Sequence, residues 1–476
     1  MSFVSKKNYL KLKKKNKFSL IYYVDKKAKI NRINNLIDTV LNLKNSFIFE
    51  SVEKAKYRGR YTIFGYQPDL ILNIKKNNIY INNKLQKNKN PYLFLKNFIE
   101  NFKFKIPQNL PNMSTMLAGY LGYDIIRYIE KIPNKNIDDL KIPDVRLIRP
   151  NILIIHDNIL NKIFYIKLNF SNTNYDQERK SLLDEINKTK TNLNKKLIKR
   201  KIKQKIKSNI SKKKFLENVK IAKKYISIGD IFQVVLSQRF ETKLQKKPIE
   251  IYKKIRKTNP SPFLYYFNFS DFQIIGSSPE ILVRIRDGNI TIRPIAGTRK
   301  RGKNLSEDKK LEKDLLSDPK ELSEHLMLLD LGRNDTGKAS VDNTVKVTEQ
   351  FKIEKYSHVM HIISNVVGKF KKGVSLLDGM FCGFPAGTVS GAPKIRAMEI
   401  IDELENRQRK LYAGAVGYFS PNGSMDTCIA LRTALIKNKK VYVQAGAGIV
   451  ADSKPDKEYQ ETVNKAKALL EAAKWK

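Results

Sequence analysis

Two runs of short strands broken by tight turns constrain this chain more than any other feature. Leu264–Phe269, Phe272–Ile275, Ile281–Arg286 and Ile290–Pro294 are short segments rich in β-branched and aromatic residues. The breaks hold Ser270–Asp271, Ser277–Ser278–Pro279 and Asp287–Gly288, and an Asp-Gly pair is a strong hairpin signal. A second meander reads Ala415–Ser420, Met425–Ile436 and Val441–Val450, with turns at Pro421–Asn422–Gly423 and Lys437–Lys440. Single helices lie between. One covers Phe215–Ile228 and ends at Gly229; another opens at Asp318–Pro319, with Gly332 as its expected stop. Runs of strands interleaved with single helices predict an α+β fold. No repeat of solenoid period is present.

The 476 residues, 41% hydrophobic, suffice for a large core. Three zones are expected. Residues 1–190 alternate short apolar strands such as Phe47–Phe49, Leu70–Ile74 and Ile152–Ile155 with Lys/Asn-rich loops. A connector, 191–214, contains Lys195–Lys214, in which 11 of 20 residues are basic. From Phe215 to residue 476 glycine, alanine and acidic residues return, and this zone is expected to carry the chemistry. Lys+Arg outnumber Asp+Glu 92 to 46, a net charge of +46. The excess is spread along the chain and is richest where residue choice looks free, as in Ile74–Asn90. It reads as drift toward residues with A/T-rich codons, so no specific nucleic-acid partner is expected, only non-specific attraction of anions. The two cysteines, Cys382 and Cys428, exclude a disulfide framework, and none of the four histidines stands at zinc-site spacing from them. No apolar run approaches the roughly 18 residues of a membrane span. The start, MSFVSKKNYLKLKKK, has no apolar signal core, so a cytoplasmic protein is expected.

Several constellations could carry chemistry. In Ser317–Asp335, Glu321, Glu324 and His325 share a helix face. Glu321 suits either a capping box or a site; Glu324, beside the apolar Leu326–Leu329, wants a cation or a proton. In Ser453–Trp475, Glu458 and Glu461 share a face with Lys465, which is equally an ordinary helix ion pair. Gln444–Ser453 (QAGAGIVADS) places three small residues after a strand expected to end near Gln444, letting an anion approach backbone amides. Gly383–Glu405 runs a small-residue loop into a helix near Pro393. Arg432, in the apolar CIALRTALI, implies an anionic partner. His361 fits a core residue or a catalyst.

Nine ordered segments carry a resemblance: GDIFQVVLSQRF, IIGSSPEILVR, PIAGTRKRG, KELSEHLMLLDLGRND, GTVSGAPKIRAMEII, YAGAVGYF, MDTCIALRTALI, QAGAGIVADS and ETVNKAKALL. Together they resemble the chorismate-utilizing enzymes, most closely anthranilate synthase component I, across nearly all of Phe215–Leu470. Phe49–Gly65 and Tyr120–Glu130 are similar to the family's amino-terminal domain. The resemblance implies two large, roughly orthogonal antiparallel sheets packed together and flanked by helices. It implies conversion of chorismate and ammonia to anthranilate and pyruvate with Mg²⁺, the metal held by Glu324 and Glu461 with Glu321 in its outer shell. Glu280 is implied as the general acid for the leaving hydroxyl. Thr298, Tyr412, Arg432, the Gly446–Ala447–Gly448 backbone and Lys465 would hold substrate, Thr388 and His361 would line the site, and His361 is a candidate in pyruvate elimination.

Relatives that make aminodeoxychorismate carry a lysine where this chain has Ala296, and relatives that add water carry a lysine base where it has Gln233. Both departures favour amination through to anthranilate over the alternative, an aminodeoxychorismate synthase component I. No GxCxG glutaminase elbow exists, so glutamine nitrogen would need a separate amidotransferase subunit, with two large and two small chains expected together. In the family, tryptophan binds between a Glu-Ser segment and an NPSPY-Met segment. These resemble Glu50–Ser51 and Asn259–Leu264 here, making Ser51, Pro260, Ser261, Pro262, Phe263 and Leu264 the inhibitor candidates; Phe263 and Leu264 replace Tyr and Met.

Overall fold

The computed structural model describes residues 2–15, 18–26, 31–51, 59–88, 90–170, 174–190, 206–356 and 359–473. Among these, antiparallel strands run on as one hydrogen-bonded network, with eleven α-helices packed against it. This is the α+β class expected. Both halves of the chain build the network. Ser46–Glu50 pairs with Phe263–Asn268, and Leu117–Leu121 pairs with Ala415–Phe419. Where the halves meet, Phe47 stacks on Phe267 with ring centroids 5.2 Å apart, and Phe267 stacks on Phe269 at 5.0 Å. Each such pair adds about 0.5–1.5 kcal/mol beyond the area it buries.

Residues 191–205 of the expected connector lie outside the described residues. Its end is ordered into the fold: Lys207–Ser208 pairs with Phe240–Glu241, and the Ser211 side chain accepts from the Lys214 N–H to cap the Lys212–Ser227 helix. That helix stops at Gly229, whose φ of +83° is the left-handed turn a helix end favours. The first meander forms as Phe263–Asn268, Gln273–Ser278, Ile281–Arg286 and Asn289–Ile292. Asp287 and Gly288 both take positive φ, 52° and 74°, the geometry of a two-residue hairpin turn.

Three expectations are corrected. The Met425–Ile436 strand is two strands, Met425–Ile429 and Thr433–Lys437. Arg432 breaks it with a φ of +46°, a conformation strained for a side-chain-bearing residue, and its carbonyl accepts from Ser277 N at 3.1 Å. The strand expected to end near Gln444 continues as Lys440–Ile449, because Gly446, Ala447 and Gly448 pair with Ser237, Leu236 and Val235. Gly332 does not stop its helix, which runs Pro319–Lys338. Buried against Ile292, Pro294 and Val366, it stays helical.

Two helices position the site. Pro319–Lys338 packs on Ile295–Lys300 and Val359–Lys369, and Pro455–Ala472 packs on Lys440–Ile449. Each begins with proline at its first turn, where the missing N–H is no loss.

Candidate active site

Glu280 stands at the Ser-Ser-Pro corner between the Gln273–Ser278 and Ile281–Arg286 strands, 6% exposed. Its carboxyl accepts from Thr388 Oγ1 at 3.1 Å. Burial pushes its pKa up to about 8, although the Thr388 hydroxyl and the charges of Lys465 and Arg432 oppose the shift. A carboxyl that is neutral at pH 7 beside two cations is equipped to give up a proton.

Thr298 and His361 face each other across paired strands. His361 Nδ1 lies 2.9 Å from the Gly297 carbonyl and 3.0 Å from Thr298 Oγ1. A carbonyl only accepts, so the proton is assigned to Nδ1 and Nε2 keeps its lone pair. Burial pushes the imidazole down to about 4, so the ring is a neutral base at pH 7. Gly297 is required here. Its φ is +70° in a local register shift, and a Cβ would come within 3.1 Å of Glu321 Oε2.

The Arg432 guanidinium makes no hydrogen bond or ion pair among the described residues, and burial lowers its pKa. Tyr356 and Glu280 are the groups that favour its charge. Such a cation wants an anionic ligand. Lys465 donates to the Gly446 carbonyl at 3.1 Å and pairs with Glu461 at 2.6 Å. Gly446 leaves no room for a side chain: a Cβ would lie 2.6 Å from the hydroxyl of buried Tyr412. Gly446→Ala is therefore expected to destabilise the fold by about 1–3 kcal/mol and to raise KM for substrate, read by denaturant melts and steady-state kinetics.

The carboxylate cluster spans two helices. Burial, and then the charges of Glu321 and Glu461, raise the Glu324 pKa, while Gln233 Nε2 donates to Glu324 Oε1 at 3.3 Å. Gln233 Oε1 is buried without a partner among the described residues. Glu321 does not close a capping box. Asp318 caps the helix by accepting from the Lys320 and Glu321 N–H groups, and Glu321 Oε1 instead accepts from Arg299 Nη1 at 3.3 Å. The donors are all oxygen and mutually repelling, which suits a hard divalent cation. No three His, Cys, Asp or Glu side chains among the described residues form a preassembled metal cage.

Sequence reasoning missed two participants: Arg299, which holds Glu321, and Tyr356, whose ring packs 5.5 Å from His361. Arg299 follows Thr298 inside a quoted motif and could have been found there. Tyr356 carries no one-dimensional signal.

Of the inhibitor candidates, Ser51, Pro262, Phe263 and Leu264 line a separate cavity of about 800 Å³. Pro260 and Ser261 do not; the Ser261 hydroxyl donates to the Ser278 carbonyl. Ser51 Oγ is buried with no partner among the described residues. Glu50 is held by Tyr252 and by Arg256 Nε, the latter at 2.6 Å.

This arrangement, a neutral buried carboxyl, an unpaired arginine and a paired-helix carboxylate cluster, defines an enzyme acting on a small anion. The chorismate binding enzyme model matches residues 44–471, and the chain belongs to that family. Within it, anthranilate synthase component 1 of Cereibacter sphaeroides is 46% identical over 445 residues, covering 90% of this chain and 89% of the relative. The Aquifex aeolicus protein of the same name is 44% identical over 438 residues, with the same coverage. The crystal structure of anthranilate synthase component I from Streptococcus pneumoniae superposes with a TM-score of 0.80 at 39% identity, covering 88% of this chain and 93% of that one. The Escherichia coli menaquinone-specific isochorismate synthase shares the fold, with a TM-score of 0.73 at 18% identity over 98% of this chain and 99% of that one.

Proposed function

We propose that this chain is the large component of an anthranilate synthase, converting chorismate and ammonia to anthranilate and pyruvate as the first step of tryptophan biosynthesis. The observation that carries this reading is the buried Glu280 carboxyl beside Arg432, whose guanidinium has no hydrogen-bond or ion-pair partner among the described residues, in a chain so similar to component 1 enzymes. Arg432 and Lys465 are the cations for the substrate's carboxylates. Glu280 gives its proton to the departing C4 hydroxyl, which leaves as water. His361 Nε2 is the base in pyruvate elimination, with Thr298 and the Gly297 carbonyl fixing its tautomer. Glu324 and Glu461 would hold Mg²⁺, which supplies charge neutralisation for a substrate carboxylate; to do so Glu461 would loosen its pairing with Lys465. Two alternatives are disfavoured by single side chains. Ala296 has no nitrogen for the covalent chemistry of aminodeoxychorismate formation, and Gln233 is no base for adding water.

The nitrogen comes from a partner. Cys382 and Cys428 are both buried, and burial raises both thiols, so neither serves as a glutaminase nucleophile. A separate amidotransferase, component 2, fits the component 1 names of the relatives, and two chains of each kind are the proposed assembly. With glutamine as sole nitrogen source the purified chain is expected to be inactive until component 2 is added, whereas ammonium bypasses the partner. Turnover of glutamine by the chain alone contradicts this. A cytoplasmic location is part of this proposal; no helix among the described residues is long and apolar enough to cross a membrane.

Tryptophan is the proposed inhibitor, in the cavity of about 800 Å³ where Ser51 Oγ has no hydrogen-bond partner among the described residues. Anthranilate formation is expected to fall as tryptophan rises; a curve flat to millimolar concentration rejects the site.

A further inference from the structure

The Glu280 carboxyl accepts from Thr388 Oγ1, and Thr388 stands on a short helical turn, Gly387–Val389. A buried arginine outside the residues assigned to substrate holds that turn. Arg409 lies in the basic stretch Arg407–Lys410, yet it is 2% exposed. Its Nη1 donates at 2.7 Å to the carbonyl of Val389, the residue after Thr388. Its Nη2 donates to the Val235 carbonyl, also at 2.7 Å. Glu405 is the counter-ion: Oε2 accepts from Nε at 3.0 Å and Oε1 from Nη2 at 2.6 Å. Glu405 Oε1 also accepts from the Ser237 N–H at 2.8 Å and the Ser237 hydroxyl at 2.7 Å.

Each group tied to Arg409 reaches the site. Val235 belongs to the Gln233–Lys243 strand, pairs with Gly448, and gives its N–H to the Ser390 carbonyl at 2.8 Å. The guanidinium also lies over the Tyr412 ring, 5.4 Å from its centroid, and the Tyr412 hydroxyl abuts Gly446. A planar guanidinium can grip a carboxylate with two donors and keep others for two carbonyls; a lysine ammonium cannot span all of these. Well-packed apolar residues often match or exceed a buried ion pair in stability. The Arg409–Glu405 pair is therefore better explained by the carbonyls it holds than by the pairing itself.

We propose that Arg409 is a positioning residue for the acid: it locks the Gly387–Val389 turn against the Gln233–Lys243 strand, so that Thr388 keeps the Glu280 carboxyl aimed at the leaving hydroxyl. This rests on reading Glu280 as the general acid. Arg409 touches neither substrate nor the acid and acts through Thr388.

The test is a mutant cycle on the full chain, read as kcat for anthranilate at saturating chorismate, Mg²⁺ and ammonium, with melting temperatures alongside. Arg409→Lys and the double variant Arg409→Met/Glu405→Gln are each made with and without Thr388→Val, beside wild type and Glu280→Gln. The double variant leaves no charge buried alone and keeps an acceptor for Ser237, so it is expected to melt within a few degrees of wild type. Both Arg409 variants are expected to lose about 10- to 100-fold in kcat, the scale of a displaced catalytic group. Thr388→Val is expected to cost wild type about tenfold, the worth of one hydrogen bond, and to cost either Arg409 variant less than about twofold, because Thr388 is already released there. A full tenfold cost of Thr388→Val in every background overturns the positioning role, and so does wild-type kcat in the double variant. Failure of both Arg409 variants to fold overturns it too, because the arginine then serves the core. Wild type that makes no anthranilate, or Glu280→Gln as active as wild type, overturns the reading of the acid, and the positioning role with it.

Discussion

Glu280→Gln is expected to lower kcat by about 10³-fold, in the range lost when a general acid is removed, with little change in KM for chorismate. Glutamine keeps the shape and an acceptor for Thr388 Oγ1, but has no carboxyl proton to give. The wild-type pH profile separates this from a packing effect. The acid must be protonated, so activity is expected to fall as pH rises through about 8, and that limb is expected to be missing from the variant's residual rate. Stability falls in the same direction. A carboxyl raised from 4.5 to about 8 in the folded state contributes stability that is fully present below 4.5 and is lost as pH rises through about 8. Glu280→Gln escapes that loss, so it is expected to melt above wild type in alkaline buffer and closest to it under acid conditions. An inactive variant that is also less stable at every pH contradicts the assignment.

Glu324→Gln carries the second large effect. Charge neutralisation by a metal is worth several kcal/mol, and each 1.4 kcal/mol or so is tenfold in rate, so a loss of at least about a hundredfold is expected. In the free protein Glu324 is crowded by Glu321 and Glu461, which raise its pKa. Removing its charge is expected to hold or raise the melting temperature without metal. Mg²⁺ is expected to raise the wild-type melting temperature, as a ligand bound only by the folded state does, and to leave the variant's unchanged. Equal Mg²⁺ shifts in both proteins would place the ion elsewhere.

The two halves of this site differ in how far the sequence revealed them. Asp318–Pro319, Pro455, the Ser-Ser-Pro corner and Asp287–Gly288 are local signals, and the structure realises each within a residue or two. The helix bearing Glu324 and the strands flanking Glu280 were legible for that reason. Contacts between distant segments were not. Arg432 reads as a strand residue because its neighbours are apolar, yet its carbonyl is claimed by Ser277 and its backbone turns left-handed. Gly446–Gly448 reads as a loop because it is small-residue rich, yet Val235–Ser237 pairs with it. Glu321 suits a cap by its spacing, but Arg299, on the Ile295–Lys300 strand, takes its carboxylate. In each case a partner about twenty or more residues away decided the outcome, and local periodicity says nothing about such partners.

The most direct measurement is product identification. The purified chain is incubated with chorismate, Mg²⁺ and ammonium, and the products are read by fluorescence and mass spectrometry beside Glu324→Gln. Anthranilate and pyruvate from the wild type, with the variant silent, are the predicted result. Aminodeoxychorismate accumulating in place of anthranilate, or no turnover by the wild type with component 2 supplied, would contradict it.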